Sequence, residues 1–462
     1  MRYSITLLFI IFFIHSFGSM PLQSIDSLKN ELSVTRGTAK VETLIRISEA
    51  YRNIHFNDCI DYGMIAIDEA RLLKNKKLEA KAFKSLGISA YYSGDFDKAI
   101  LYYQNSLELF EKLKDNKGMA ACYNNIGLIY EEKAEFEMAY EYYNKSFKYE
   151  EILDNKEGMA ISLISLGNIN YYLNSFQISL DNYYQALLIF ESLENKWGIA
   201  YAYNSIGIIY LAWGNPEKAI QYFEKSKGFY EEIEDEIGLS KVLTNLGELY
   251  SKENRDYKKA LDYYNKSLAI KKKQEDKIGI ALLYNNFGTL YAELEDYNEA
   301  LQYFNRSYLF YDEMNSITGL IMVNQNIGKT YLSLKNYKIA IEKFQRSLTM
   351  ASEAGMNNYI SSNYKELMLC YAFISNNEKF EKYYTLYNSD RDSVIDKLRL
   401  DKLYEIEAKY DIEQLLMKSQ NLSNENLKKE KEIRQLKLIM AGLGGLIILI
   451  IFSYVLFLKI KK

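Results

Sequence analysis

The stretch Gly118-Met119-Ala120-Ala121-Cys122-Tyr123-Asn124-Asn125-Ile126-Gly127-Leu128-Ile129-Tyr130, continued by Phe136-Glu137-Met138-Ala139-Tyr140-Glu141-Tyr142-Tyr143-Asn144-Lys145-Ser146, decides the fold, because the same spacing returns along the chain. Its central glycine recurs as Gly87, Gly127, Gly167, Gly207, Gly247, Gly288 and Gly328, in steps of 40 residues with one step of 41. A fixed period of that length marks a repeat architecture. Ala99, Ala139, Ala219, Ala300 and Ala340 follow twelve residues after their glycines, with Ser179 in the third unit and Ala260 displaced by one in the fifth. Four further on stands an aromatic ring (Tyr103, Tyr143, Tyr183, Phe223, Tyr264, Phe304, Phe344), and three beyond it a small residue (Ser106, Ser146, Ala186, Ser226, Ser267, Ser307, Ser347).

Such a unit reads as a helical hairpin. A glycine on the first helix lets the second cross closely, and the second returns an alanine there with aromatic residues at helical spacing. Gly94-Asp95-Phe96, Asn215-Pro216 and Glu295-Asp296-Tyr297 supply turn formers between the helices. A further glycine (Gly118, Gly158, Gly198, Gly238, Gly279, Gly319) ends each unit and opens the next.

Composition agrees with an all-α chain. Of 462 residues 48% are hydrophobic and 26% charged, with a net charge of −4, which excludes a disordered tail and a nucleic-acid binder acting through bulk charge. Two prolines in the whole chain permit near-continuous helix. The histidines are His15 and His55, and Cys59, Cys122 and Cys370 lie far apart. A zinc cluster, a haem-attachment motif and a disulfide framework are therefore not expected, and no nucleophile–base pair or phosphate loop is visible. The expectation is a non-enzyme without cofactor or metal. The 43 tyrosines fit adenine- and thymine-rich codons, so only their positional regularity carries information.

These positions resemble the tetratricopeptide repeat in a 40-residue form. The matching pairs include Ile126-Gly127 with Tyr130, Ile206-Gly207 with Tyr210, and Leu246-Gly247 with Tyr250. Serine where the family usually has alanine late in the second helix, and a missing inter-repeat proline, are departures shared with arrays similar to kinesin light chains. Seven clear repeats fall in 79–350, with degenerate repeats at each end, giving an array over 40–390. The resemblance implies a superhelical solenoid whose concave face, lined by first helices, holds an extended peptide or partner helix. The residue two before each glycine would face that groove: Ser85, Asn125, Ser165, Ser205, Asn245, Asn286 and Asn326. With Asn124, Asn204, Asn285 and Gln325 one position earlier, they form a candidate polar ladder, since an amide donates and accepts at once. Bridging or capping of neighbouring helices is the other reading of that ladder. Phe83, Tyr123, Tyr203 and Tyr284 are spaced as core stacking between repeats, and the cysteines as packing residues.

Apolar segments bracket the array. Residues 1–19 read as an export signal, with an uncleaved anchor as the alternative, and 20–39 as a leader. Residues 391–437 are expected to form a long helix whose seam (Leu415, Leu422, Asn426, Ile433, Leu436) suits a parallel coiled-coil homodimer. The uncharged run 438–458 is long enough to cross a membrane once, leaving 459–462 as a basic cytoplasmic tail and the array in the periplasm. This order resembles the extracytoplasmic half of tetratricopeptide-containing membrane sensors of Bacteroidetes. Those carry a histidine kinase, cyclase or helix-turn-helix output after the membrane helix, where four residues stand here, so kinase or transcriptional activity is not carried over. The expectation is a membrane-embedded receptor or scaffold that binds a protein or peptide segment and acts through a separate signalling partner. The alternatives are an assembly factor of an envelope complex and a truncated sensor whose output is encoded separately.

Overall fold

The computed structural model describes residues 24–389 apart from 53 and 254. The export segment, the seam residues Leu415, Leu422, Asn426, Ile433 and Leu436, and the apolar run 438–458 lie outside the described residues. Among the described residues there is no strand, and no helix is long and apolar enough to cross a membrane.

Helix α1 (Ile25–Val34) packs on α2 (Gly37–Tyr51), and hairpins follow in order. They are α2 with α3 (Phe56–Leu72), α4 (Lys76–Tyr92) with α5 (Phe96–Leu113), α6 (Asn116–Glu132) with α7 (Phe136–Ile152), and α8 (Lys156–Tyr172) with α9 (Phe176–Ser192). Then come α10 (Lys196–Ala212) with α11 (Pro216–Glu232), α12 (Glu236–Lys252) with α13 (Tyr257–Lys273), α14 (Lys277–Glu293) with α15 (Tyr297–Glu313), and α16 (Ile317–Ser333) with α17 (Tyr337–Glu353). Helix α18 (Asn357–Phe373) is followed by helical residues 377–389. The degenerate sequences at both ends thus fold as hairpins too.

Most turns share one scheme of hydrogen bonding. After α4, Gly94 takes a left-handed conformation (φ +78°) and its N–H donates to Tyr91 O, while Asp95 N–H reaches back to Ala90 O at 3.0 Å. Asp95 then caps α5, its Oδ1 accepting from Lys98 N at 3.1 Å. One residue therefore ends a helix in a Schellman motif and starts the next as its N-cap. The same left-handed position is held by non-glycine residues at Lys114, Glu194 and Glu234 between hairpins and at Ala134 and Lys335 within them; Ala134 is neither glycine nor the polar turn former expected there.

The glycine rows mark ring crossings. A Cβ on Gly167 would lie 2.5 Å from the Tyr183 ring within its own hairpin. One on Gly198 would lie 2.3 Å from Phe190, the ring that joins α9 to the next first helix. The late serines, which depart from the family's alanine, are buried and bind backbone of the first helix: Ser226 Oγ donates to Ala200 O at 2.7 Å and Ser307 Oγ to Ala281 O at 2.7 Å. All extensive helix contacts join neighbours one or two positions apart, and those two apart are pairs of first helices, such as α4 with α6 and α10 with α12. First helices therefore form the inner layer.

Candidate functional site

The asparagine ladder is an arrangement between repeats. Asn245 Nδ2 donates to Asn204 Oδ1 at 2.9 Å, and Asn326 Nδ2 to Asn285 Oδ1 at 2.8 Å, each joining a first helix to the one before it. Asn245 and Asn285 are buried, while Asn204 and Asn326 are half-buried. Asn125 and Asn286 are also half-buried, and among the described residues their side chains have no hydrogen-bond partner. Gln325 is buried with its Nε2 3.5 Å from Tyr359 O. Asn124 is buried with Oδ1 unpartnered. The repeat explains this orphan: the position that would bridge to Asn124 from α8 holds Ser165, whose side chain is shorter than an asparagine's.

Phe83, Tyr123, Tyr203 and Tyr284 stack within their own hairpins, not between repeats. Tyr123 meets Tyr149 at 5.6 Å and Tyr142 at 6.2 Å, both on α7, and Tyr203 meets Tyr222 and Phe229 on α11. Lys145 lies over Tyr142 and Lys225 over Tyr222, so a cation finishes each cluster at the surface. The three cysteines are free and buried, and burial pushes the Cys122 thiol up to about 11.

A second set of groups was not singled out by sequence. Glu131 and Glu132 end α6, where α4 has Tyr91 and Tyr92 and α8 has Tyr171 and Tyr172. Tyr143, whose ring runs beneath Gly127, donates its hydroxyl to Glu131 Oε2 at 2.7 Å, and Tyr91 donates to Glu132 Oε1 at 3.0 Å. Nearby, Tyr183 donates to Asn168 Oδ1 at 2.8 Å, and Asn168 Nδ2 lies 3.5 Å from the Tyr201 hydroxyl. Burial pushes Glu131 up to about 7; the Tyr143 hydrogen bond opposes the shift and the Glu132 charge adds to it. Burial also raises Glu132 against its bond from Tyr91. Among the described residues neither carboxylate is in an ion pair. The available signal was local: tyrosine pairs stand four and five residues after Gly87 and Gly167, and the unit between them has two glutamates there.

Further along, the carboxylates are compensated. Glu248 pairs with Lys252 at 2.5 Å, and Ser251 Oγ donates to Glu293 Oε2 at 2.9 Å. Burial works to lower the Lys252 pKa, and Glu248, Glu293 and Glu253 more than offset it. Burial raises Tyr171 of α8, and the Glu248 charge on α12 adds to it along the inner layer of first helices. The groove offers hydroxyls, amides and carboxylates to a chain laid across it. Among the described residues no group of three or more His, Cys, Asp or Glu side chains could hold a metal.

A tetratricopeptide repeat family model matches residues 78–149, 158–232 and 238–313, and a second tetratricopeptide repeat model matches 323–353. No curated protein matches the chain in sequence. Among solved structures, a Rap protein complexed with competence and sporulation factor is 16% identical with a TM-score of 0.53, covering 72% of this chain and 92% of its own. The apo quorum sensor NprR from B. thuringiensis is 18% identical with a TM-score of 0.51, covering 62% and 80%. A signal transduction ATPase with a tetratricopeptide repeat sensor, from Pyrococcus horikoshii, is 14% identical with a TM-score of 0.53, covering 79% and 55%. At these identities the likenesses show the fold, and with the family models matching over half of the sequence, the chain belongs to the tetratricopeptide repeat family.

Proposed function

We propose that this protein is an exported, membrane-anchored receptor or scaffold that holds an extended peptide or protein segment along its first helices and acts through a partner. The observation that carries the binding reading is the inner layer itself, where first helices pack side by side and present half-buried amides without partners (Asn125, Asn286) and, on α6, carboxylates without a cation (Glu131, Glu132). Unpaired polar groups on a half-buried face are suited to the backbone of an incoming segment. The similar Rap array is solved in complex with competence and sporulation factor, which agrees with an array of this kind holding a partner molecule. Export and anchoring rest on the sequence, through residues 1–19 and the apolar run 438–458. The anchored chain would dimerise through Leu415, Leu422, Asn426, Ile433 and Leu436.

The test is crosslinking and affinity purification of the full chain from its native membranes, followed by mass spectrometry. Recovery of a kinase or regulator together with a bound segment is the expected result. A constant set of secretion, cell-wall or outer-membrane components would favour the envelope-assembly reading, and recovery from a soluble fraction would remove the anchor.

A further inference from the structure

We propose that the groove formed by α4, α6 and α8 selects a segment carrying a lysine or arginine, whose cationic head sits between Glu131 and Glu132 among the tyrosines that surround them. This rests on the peptide-binding reading and names the chemistry of the segment.

Three observations converge on α6. The first is charge without compensation. Glu131 and Glu132 are half-buried and accept only phenol hydrogen bonds, from Tyr143 and Tyr91, while Lys133 beside them turns to Glu135 at 3.1 Å. Where the same groove carries Glu248, the protein supplies its own cation in Lys252. The second is the aromatic wall. Tyr171 and Tyr172 meet edge to face at 5.8 Å, Tyr172 is stacked on Phe136 at 4.8 Å, and both Glu131 and Glu132 act on the Tyr172 hydroxyl. Carboxylates against fixed ring faces suit an ammonium or guanidinium head, which gains charge-assisted hydrogen bonds and cation–π attraction together.

The third observation is independent of the acids. Asn124 is nine-tenths buried and its Oδ1 has no partner. Asn124, Leu128 and Glu131 are spaced four and three residues apart, which places them on one face of α6. The Oδ1 is enclosed, whereas Nδ2 is not, and Nδ2 has no hydrogen-bond partner among the described residues, so the amide is left to donate to a backbone carbonyl laid along α6. Seven residues of helix separate Asn124 from Glu131, ~10 Å at ~1.5 Å per residue. About three residues of extended chain cover that distance at ~3.3 Å each. A backbone carbonyl accepting from Asn124 Nδ2 and a basic side chain reaching the two glutamates therefore fit one short extended segment. A bare divalent cation fits less well, because the second attachment point presents an amide N–H donor, which cannot ligate a cation.

The experiment overlays the full-length protein, in detergent micelles, on an immobilised library of random short peptides. Bound sequences are compared for wild type, E131Q/E132Q, E132Q alone and E108Q, whose carboxylate lies on the exposed face of α5 beside Lys112. The expected result is enrichment of lysine or arginine among bound peptides, kept by E108Q and lost by E131Q/E132Q. Affinity for the basic peptides should fall about tenfold or more, as for loss of a charge-assisted bond. Circular dichroism checks that the variants fold, and E132Q serves alone if the double variant does not. Peptides bound without basic enrichment, or enrichment that survives the substitutions, would overturn this inference and leave peptide binding intact. An array that binds no peptide at all would overturn the peptide-binding reading with it.

Discussion

At the scale of single residues, the asparagines of one ladder do different work. Asn245 and Asn326 bridge first helices, so alanine there leaves Asn204 or Asn285 with an unmet acceptor and should cost about 1–2 kcal/mol of stability for each. Asn125 and Asn286 have no such partner, so N125A/N286A should leave the denaturation midpoint within experimental scatter while weakening capture of the bound segment. Unchanged capture by a folded N125A/N286A variant would remove these amides from the binding face. Glu131 gives a pH-dependent case. It is faced by Glu132 on α6, Tyr143 on α7, Tyr91 on α4, Tyr172 on α8, Tyr183 on α9 and Tyr201 on α10, none of which carries a positive charge. Its carboxyl is raised from the ordinary 4.5 to about 7 in the folded chain, so between these values the native state holds more protons than the unfolded one. Its contribution to stability is then fully present below 4.5 and lost as pH rises through about 7. Denaturant midpoints of wild type should fall across that window, and E131Q should flatten the fall; parallel profiles for the two proteins would show that Glu131 titrates normally.

At the scale of the element, seventeen-residue helices such as α4, α6 and α8 alternate with three-residue turns. From α3 onward every turn has a left-handed residue at the same place, filled by glycine at Gly94, Gly214 and Gly355, and by residues that pay a steric cost at Glu194 (φ +51°) and Glu234 (φ +56°). A side chain there costs roughly 1–2 kcal/mol in steric strain, against roughly 0.5–1 kcal/mol for the extra freedom glycine has when unfolded. E194G and E234G should therefore each stabilise the array by about 0.5–1 kcal/mol, read as a higher denaturation midpoint. The same change at Glu224, inside α11, should destabilise by about 1 kcal/mol; equal effects at the two kinds of site would contradict the turn geometry. These elements were largely legible from sequence. The spacing of Gly167 and Tyr183 is a steric necessity and repeats faithfully. Left-handed turns at Lys114 or Glu194 were not legible, because the flanking caps impose that conformation on whatever residue occurs. The polar groove was legible only in part. Whether Asn124 is paired depends on residue 165 of the next repeat, and the environment of Glu131 depends on phenols from several helices.

At the scale of the array, extensive contact never reaches beyond the second helix along, so stability is a chain of local joints and the weakest joint sets where the array opens first. At most joints a ring from the second helix lies over the glycine that opens the next repeat: Phe110 over Gly118, Phe190 over Gly198, Tyr230 over Gly238, Tyr311 over Gly319. Between α13 and α14 the corresponding residue is Lys271, buried and paired with Asp276 at 3.0 Å. That charge helps burial push neighbouring Lys241 down to about 7. Replacing a buried ion pair by a ring of suitable size is commonly neutral or stabilising by about 1–4 kcal/mol. Asp276 would not be orphaned here, since its Oδ1 still caps α14 by accepting from Gly279 N at 2.8 Å. K271Y should therefore slow amide hydrogen exchange in α13 and α14 while leaving α4 and α6, several joints away, unchanged. K271A, which removes the pair without supplying the ring, should speed it. If K271Y exchanges as wild type in α14, the charged joint is as strong as the aromatic ones and the array opens elsewhere. If protection rises equally in α4, the array unfolds as one cooperative body, and neighbour-only coupling fails as its description.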